Sequence, residues 1–173
     1  MTVNAMSILI STNNTAYLES GDVIKLPVIF IHGFPFDKRM WENQLLELKD
    51  EYRCIAYDVR GHGDSKAGEV DFSIALFAED LIALMDALQI EKAVIVGLSM
   101  GGYIAMNAIQ KYSHRFAGLV LCDTQCAADT AEAKGKRKKT IAFILRNGLA
   151  VYAEESLKNL FALASFQTKP QEV

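Results

Sequence analysis

The chain is poor in the features that would place it in a specialised class. It has three cysteines in 173 residues. That number is odd, the spacing suits no metal, and Cys54 and Cys122 fall inside apolar segments. A disulfide framework and a metal site are therefore set aside. No apolar run approaches the length of a membrane span, so no membrane partner is expected. Residues 1–14 hold no basic segment followed by an apolar stretch, so no secretory leader is read there. Reduced thiols without a leader make a cytoplasmic location the expectation. The net charge is −3, which offers nothing to a polyanion, and nucleic acid is not expected as a partner. Internal repeats and low-complexity tracts are absent. Histidine is scarce as well: the chain has three, His32, His62 and His114.

What remains is an ordinary globular composition, 51% hydrophobic and 23% charged, in a chain long enough for one buried core. Its most informative segment is Val94-Ile95-Val96-Gly97-Leu98-Ser99-Met100-Gly101-Gly102. An apolar strand breaks at Gly-x-Ser-x-Gly and runs on into a helical pattern. A serine at such a sharp turn is forced into a strained backbone with its hydroxyl exposed. The flanking Gly97 and Gly101 must be small for strand and helix to approach. The helix that follows directs free N–H groups and its positive dipole end toward the serine.

Two further apolar segments end in loops of the same kind. Residues 26–31 run into His32-Gly33-Phe34-Pro35, and residues 52–57 run into Asp58-Val59-Arg60-Gly61-His62-Gly63-Asp64-Ser65. Around them, a hairpin is expected over residues 6–12 and 15–19, turning at Asn13-Asn14. Helices are expected over 38–49, 72–89 and 100–112, and strands over 92–97 and 117–122. Beyond Asp123 the alternation stops; helices are expected over 140–149 and 154–163, separated near Gly148. Strands alternating with helices predict an α/β fold, a mostly parallel sheet with helices on both faces, its ligands bound beyond the carboxyl ends of the strands.

Taken in this order over residues 26–102, the three motifs resemble the α/β-hydrolase fold superfamily. The nearest likeness is to its esterase, haloperoxidase-like and 3-oxoadipate enol-lactonase branch, in which Gly-Leu-Ser-Met-Gly-Gly elbows are common. The resemblance implies that residues 1–126 are the N-terminal part of the hydrolase core, without its last strands, and that 127–173 begin a helical cap. It implies Ser99 as a catalytic nucleophile and the backbone N–H groups of Phe34 and Met100 as the oxyanion hole. The Met100 side chain, next to the nucleophile, is read as lining an acyl pocket, against the alternative that it simply packs. The superfamily completes its triad with an acid and then a histidine, in the order Ser, acid, His. None of the three histidines falls where that histidine is expected. The elbow helix, rising ~1.5 Å per residue, should carry His114 about 15–20 Å from Ser99. Asp123, at the end of a strand, is an alternative acid, read against the simpler role of a turn residue.

The implied activity is hydrolysis of small carboxylic esters or lactones through an acyl-enzyme, incomplete without base and acid. Carbon–carbon hydrolysis and perhydrolysis use the same serine triad and stay open, and the implied chemistry needs no cofactor or metal. Dehalogenase and epoxide-hydrolase relatives use a carboxylate nucleophile, which a serine at the elbow argues against. The alternative is a non-catalytic or truncated fragment. An apolar strand ending at Asp123 would then be an open edge, leading to self-association or to a second chain that completes the sheet. Residues 58–65 are expected to be architectural, with Asp58 and Arg60 holding the loop by hydrogen bonds. The basic run Lys134-Gly135-Lys136-Arg137-Lys138-Lys139 is read as a solvated helix face rather than an anion- or membrane-binding patch.

Overall fold

The computed structural model describes residues 3–10 and 13–170. By its contacts the chain divides into two compact units, residues 1–126 and 127–173. The first holds six strands among the described residues: β1 (Asn4–Ile10), β2 (Asn13–Ser20), β3 (Pro27–Ile31), β4 (Arg53–Tyr57), β5 (Ala93–Leu98) and β6 (Phe116–Cys122). They lie in the order β1-β2-β4-β3-β5-β6. Pairs β3–β4, β3–β5 and β5–β6 are parallel, and β1–β2 and β2–β4 are antiparallel. The expected α/β class, a mostly parallel sheet with helices on both faces, is what the structure has.

Alternation along β3 shows how the two faces are filled. Ile29 and Ile31 point into a core built with Phe77, Leu81, Leu84 and Met85 of helix α2 (Ile74–Ala87) and Ile104, Ala105 and Ala108 of helix α3 (Met100–Tyr112). Val28 and Phe30 point the other way, toward Trp41 and Leu45. Leu45 belongs to helix α1 (Glu42–Leu48). Strands buried on both faces need continuous apolar runs, and residues 26–31 supply one. Each such side chain, fully buried, contributes ~1.5–3 kcal/mol.

Local chemistry explains most departures from the expected boundaries. Residues 38–49 are not one α-helix. A single 3₁₀ turn, Lys38–Trp41, enters first, because the Asp37 carboxylate caps it by accepting from Arg39 N, and α1 follows. The hairpin exists, but Asn13 and Asn14 belong to β2, paired with Ile10 and Leu9. Residues 11 and 12, within the span expected for the first strand, lie outside the described residues.

In the second unit α4 (Ala131–Asn147) begins well before residue 140, with Thr130 capping it by accepting from Ala133 N. Apolar periodicity starts only near 140, yet Ala, Glu, Lys and Arg are good helix formers without it. Helix α5 (Leu149–Leu160) follows Gly148, whose φ is +87°. A short α6 (Leu163–Thr168) was not expected. Among the described residues no helix is long and apolar enough to cross a membrane.

Candidate active site

Ser99 stands alone between the end of β5 and the start of α3, with φ 49° and ψ −108°. A non-glycine residue with positive φ costs ~1–3 kcal/mol unless its surroundings hold it there. Here they do. Ser99 N–H donates to Cys122 O at 2.9 Å, and Ser99 O accepts from Gly102 N at 3.0 Å and Thr124 Oγ1 at 2.8 Å. The glycines on either side are required by backbone contact. A Cβ on Gly97 would stand 2.5 Å from Gly101 O, and one on Gly101 would collide with the carbonyl of Ile31. The first helical residue, Met100, has an N–H with no acceptor within the helix, at the positive end of the α3 dipole.

The loop after β3 reaches the same point. A Cβ built on Gly33 would lie 3.4 Å from Ser99 Cβ and 3.4 Å from Leu98 O. The structure therefore brings together three of the expected residues: Phe34, which follows Gly33, and Ser99 and Met100. The Phe34 ring is half exposed and meets the His62 ring edge-on, with centroids 6.0 Å apart. Ser99 and Met100 are partly accessible. Asp123 follows β6, is exposed, and has φ 39°, a left-handed conformation that short polar residues adopt in turns.

The three histidines do different things. His32 is fully buried at the end of β3. Its Nε2 accepts from Val59 N at 3.0 Å, so Nδ1 carries the proton and donates to Gly33 O at 3.0 Å. Burial pushes its pKa below the ordinary histidine value. Both nitrogens are committed to tying the β3 loop to the β4 loop. His62 Nδ1 lies 3.2 Å from Arg60 O. His114 sits in the turn beyond the far end of α3. Among the described residues no hydrogen bond joins the Ser99 hydroxyl to a histidine.

The loop after β4 is held by buried ion pairs. Asp58 accepts from Lys38 N at 2.8 Å, Lys38 Nζ at 2.7 Å and Asp64 N at 2.8 Å. Burial pulls the Lys38 ammonium down, but hydrogen bonds to Asp58 and Asp64 outweigh it and leave its pKa raised. Arg60 grips Asp80 of α2 with two bonds, at 2.8 and 2.6 Å. Asp58 and Arg60 anchor the loop as expected, but their partners were not foreseen. Asp80 had a signal, a charge inside the apolar stripe of Phe77, Leu81 and Leu84. Lys38 and Thr124 had none, because their partners are distant in sequence. Among the described residues no cluster of three or more His, Cys, Asp or Glu could hold a metal ion.

Comparison with known proteins agrees with this fold. A family model described as alpha/beta hydrolase fold matches residues 27–162. The chain is 28% identical over 157 residues to 3-oxoadipate enol-lactonase 2 of Acinetobacter baylyi, covering 91% of this chain and 58% of that protein. It is 34% identical over 109 residues to epoxide hydrolase 1 of Caenorhabditis elegans, covering 62% of this chain and 27% of that one. A solved thermophilic esterase from Thermogutta terrifontis superposes with a TM-score of 0.86 at 36% identity, covering 97% of this chain and 63% of that chain. The chain spans about half the length of the enol-lactonase relatives it matches.

Proposed function

This chain belongs to the α/β-hydrolase fold family, and from that premise we propose that it carries the nucleophile and oxyanion hole of a serine hydrolase acting on small carboxylic esters or lactones. The observation that carries the reading is the left-handed Ser99 at the β5–α3 junction, with the Gly33 loop packed against it. Ser99 Oγ attacks the carbonyl carbon, and the displaced electron pair rests on the carbonyl oxygen. The N–H groups of Phe34 and Met100 receive that charge; losing one such donor costs ~3 kcal/mol of transition-state stabilisation. Collapse of the tetrahedral intermediate breaks the carbon–oxygen bond, and the leaving alkoxide takes the serine proton. Water then releases the acid. In a lactone the leaving oxygen stays tethered to the acyl group.

The relatives' names span lactone, ester and epoxide chemistry, so the nucleophile must choose between them. A serine hydroxyl supports acyl transfer. The proton from Ser99 needs a base, and His32, with both nitrogens bonded elsewhere, does not fit that role. Asp123 is retained as an alternative acid; its exposure and left-handed backbone support the turn role more strongly. Acid–base assistance is worth ~10²–10⁴-fold by itself, so turnover by the 173 residues alone should be weak. A fluorophosphonate probe should add to Ser99, as mapped by peptide mass spectrometry. Labelling that persists undiminished in Ser99→Ala would overturn the assignment.

One observation favours the second reading, that the chain pairs with another polypeptide or with itself. Strand β6 lies at an edge of the sheet, paired with β5, and leaves Val120 and Leu121 each 45% exposed. An open apolar edge is a template for strand addition. Light scattering should return a mass above that of a monomer; a strict monomer at micromolar concentration would rule this out.

A further inference from the structure

Gly97 and Gly101 allow strand and helix to meet, but the third glycine of the elbow answers to a different neighbour. A Cβ on Gly102 would stand 2.5 Å from Thr124 Oγ1 and 2.6 Å from Thr124 Cγ2. The space that Gly102 leaves is filled by the Thr124 side chain. From there Thr124 Oγ1 donates to Ser99 O at 2.8 Å. Two residues before, Cys122 O accepts from Ser99 N at 2.9 Å. Between them Asp123, with φ 39°, reverses the chain so that a backbone acceptor and a side-chain donor from one short loop reach the same residue.

We propose that Thr124 is a positioning residue for the oxyanion hole, and that Gly102 is the space that admits it. The reasoning runs through a single peptide plane. The carbonyl of Ser99 and the N–H of Met100 belong to the same planar unit and point in opposite directions. Fixing one fixes the other. The helix donors to Ser99 O, Gly102 N at 3.0 Å and Tyr103 N at 3.3 Å, come from the α3 side. Thr124 adds a donor from outside the helix, and together they stop that plane from rocking. The Met100 N–H is thereby aimed before substrate arrives, and preorganised donors are the ones that lower a barrier. The same bond stabilises the left-handed Ser99, which carries the nucleophile. The catalytic meaning of the clamp rests on Ser99 and the Met100 N–H acting on substrate as proposed above.

The test compares Thr124→Val, which keeps the shape and removes the hydroxyl, with Thr124→Ser, which keeps the hydroxyl. Amide hydrogen exchange followed by NMR reads the position of the peptide independently of any chemistry. In Thr124→Val, the amides of Gly102 and Tyr103, which share Ser99 O with Thr124, should exchange about tenfold faster while the amides of Ile29 and Ile95 keep their wild-type rates, and Thr124→Ser should restore their protection. Wild-type exchange at both Gly102 and Tyr103 in Thr124→Val would overturn the proposal. So would an acceleration shared equally by Ile29 and Ile95, which would mark a general loss of stability. The rate of fluorophosphonate addition to Ser99 supplies the functional arm: it should fall with Thr124→Val and recover with Thr124→Ser, and an unchanged rate would overturn the positioning role. If the wild-type protein reacts at another residue, the nucleophile assignment fails, and the exchange pattern still decides whether Thr124 holds the peptide.

Discussion

The two compact units of this chain are held together in different ways. Residues 1–126 bury apolar side chains on both faces of a sheet, and several of the buried groups, such as Ile29, Leu45, Leu81 and Ile95, have no solvent exposure at all. Among the described residues of 127–170 no side chain is buried. The charges differ too: the first unit has ten Lys and Arg against sixteen Asp and Glu, the second eight against five. The first unit has open ion pairs such as Lys111–Glu79, but it also encloses Arg60–Asp80 and Lys38–Asp58, whereas Lys136–Glu132 of the second unit lies in the open. The sheet unit is specified by packing and enclosed polar contacts, while α4 and α5 rest on helix propensity, the Thr130 cap and short-range pairs. Every residue proposed for chemistry sits in the first unit, where the surroundings are dense enough to hold a residue such as Ser99 in an unfavourable backbone conformation.

That difference can be broken by paired substitutions, one in each unit. The largest effect should come from Arg60→Met. It leaves Asp80 enclosed without its partner and should destabilise by about 3–5 kcal/mol in a denaturant titration. Lys136→Ala, removing an exposed i,i+4 pair, should cost no more than about 0.5 kcal/mol. Equal effects would dissolve the distinction. Next comes Leu45→Ala, at about 2–5 kcal/mol for a fully enclosed leucine. Its counterpart Leu145→Ala, at a side chain 83% exposed, should stay within about 0.5 kcal/mol.

Gly101→Val sharpens the picture at the elbow itself. The added side chain meets the backbone of β3 rather than a movable side chain, so overpacking should cost about 3 kcal/mol and abolish probe labelling. An unchanged melting temperature with normal labelling would show that the elbow is not closely packed. The smallest effect is on pH. Burial lowers the pKa of His32 in the folded state, so between that value and the ordinary ~6.5 the unfolded chain binds more protons. The stability contributed by neutral His32 is complete above about pH 6.5 and is lost as pH falls, by at most ~1.4 kcal/mol per unit. A His32→Gln variant should lose that part of the acid dependence. If its stability falls along the same curve as wild type, His32 is not the group responsible.

How much of this was legible in the sequence depended on the range of the interaction. The strands β3, β4, β5 and β6 and the helices α2 and α3 were readable because an apolar run or stripe records burial directly. Ser99, Met100 and the loop at Phe34 were readable because the elbow is a local motif whose glycines and turn lie within a few residues. The 3₁₀ entry at Lys38–Trp41 was hidden because an apolar spacing of Trp41, Leu45 and Leu48 suits either kind of helix. The hairpin turn was misplaced because Asn13-Asn14 is a good turn pair locally, while the register that puts both residues in β2 is set across the sheet. Lys38, Asp80 and Thr124 could not be assigned their partners, since those contacts span 20 residues or more. A lysine gives no local sign that it will be enclosed between two aspartates.

The central claim is that Ser99 is a poised nucleophile, facing two oxyanion donors, with no histidine hydrogen-bonded to it among the described residues. The measurement that tests it most directly is p-nitrophenyl acetate hydrolysis by wild type and Ser99→Ala, each with and without free imidazole, after subtracting the reaction of imidazole alone. The account predicts weak hydrolysis by the wild-type chain that rises with imidazole, and no such increment in Ser99→Ala. Equal hydrolysis by both proteins, with or without imidazole, would contradict it.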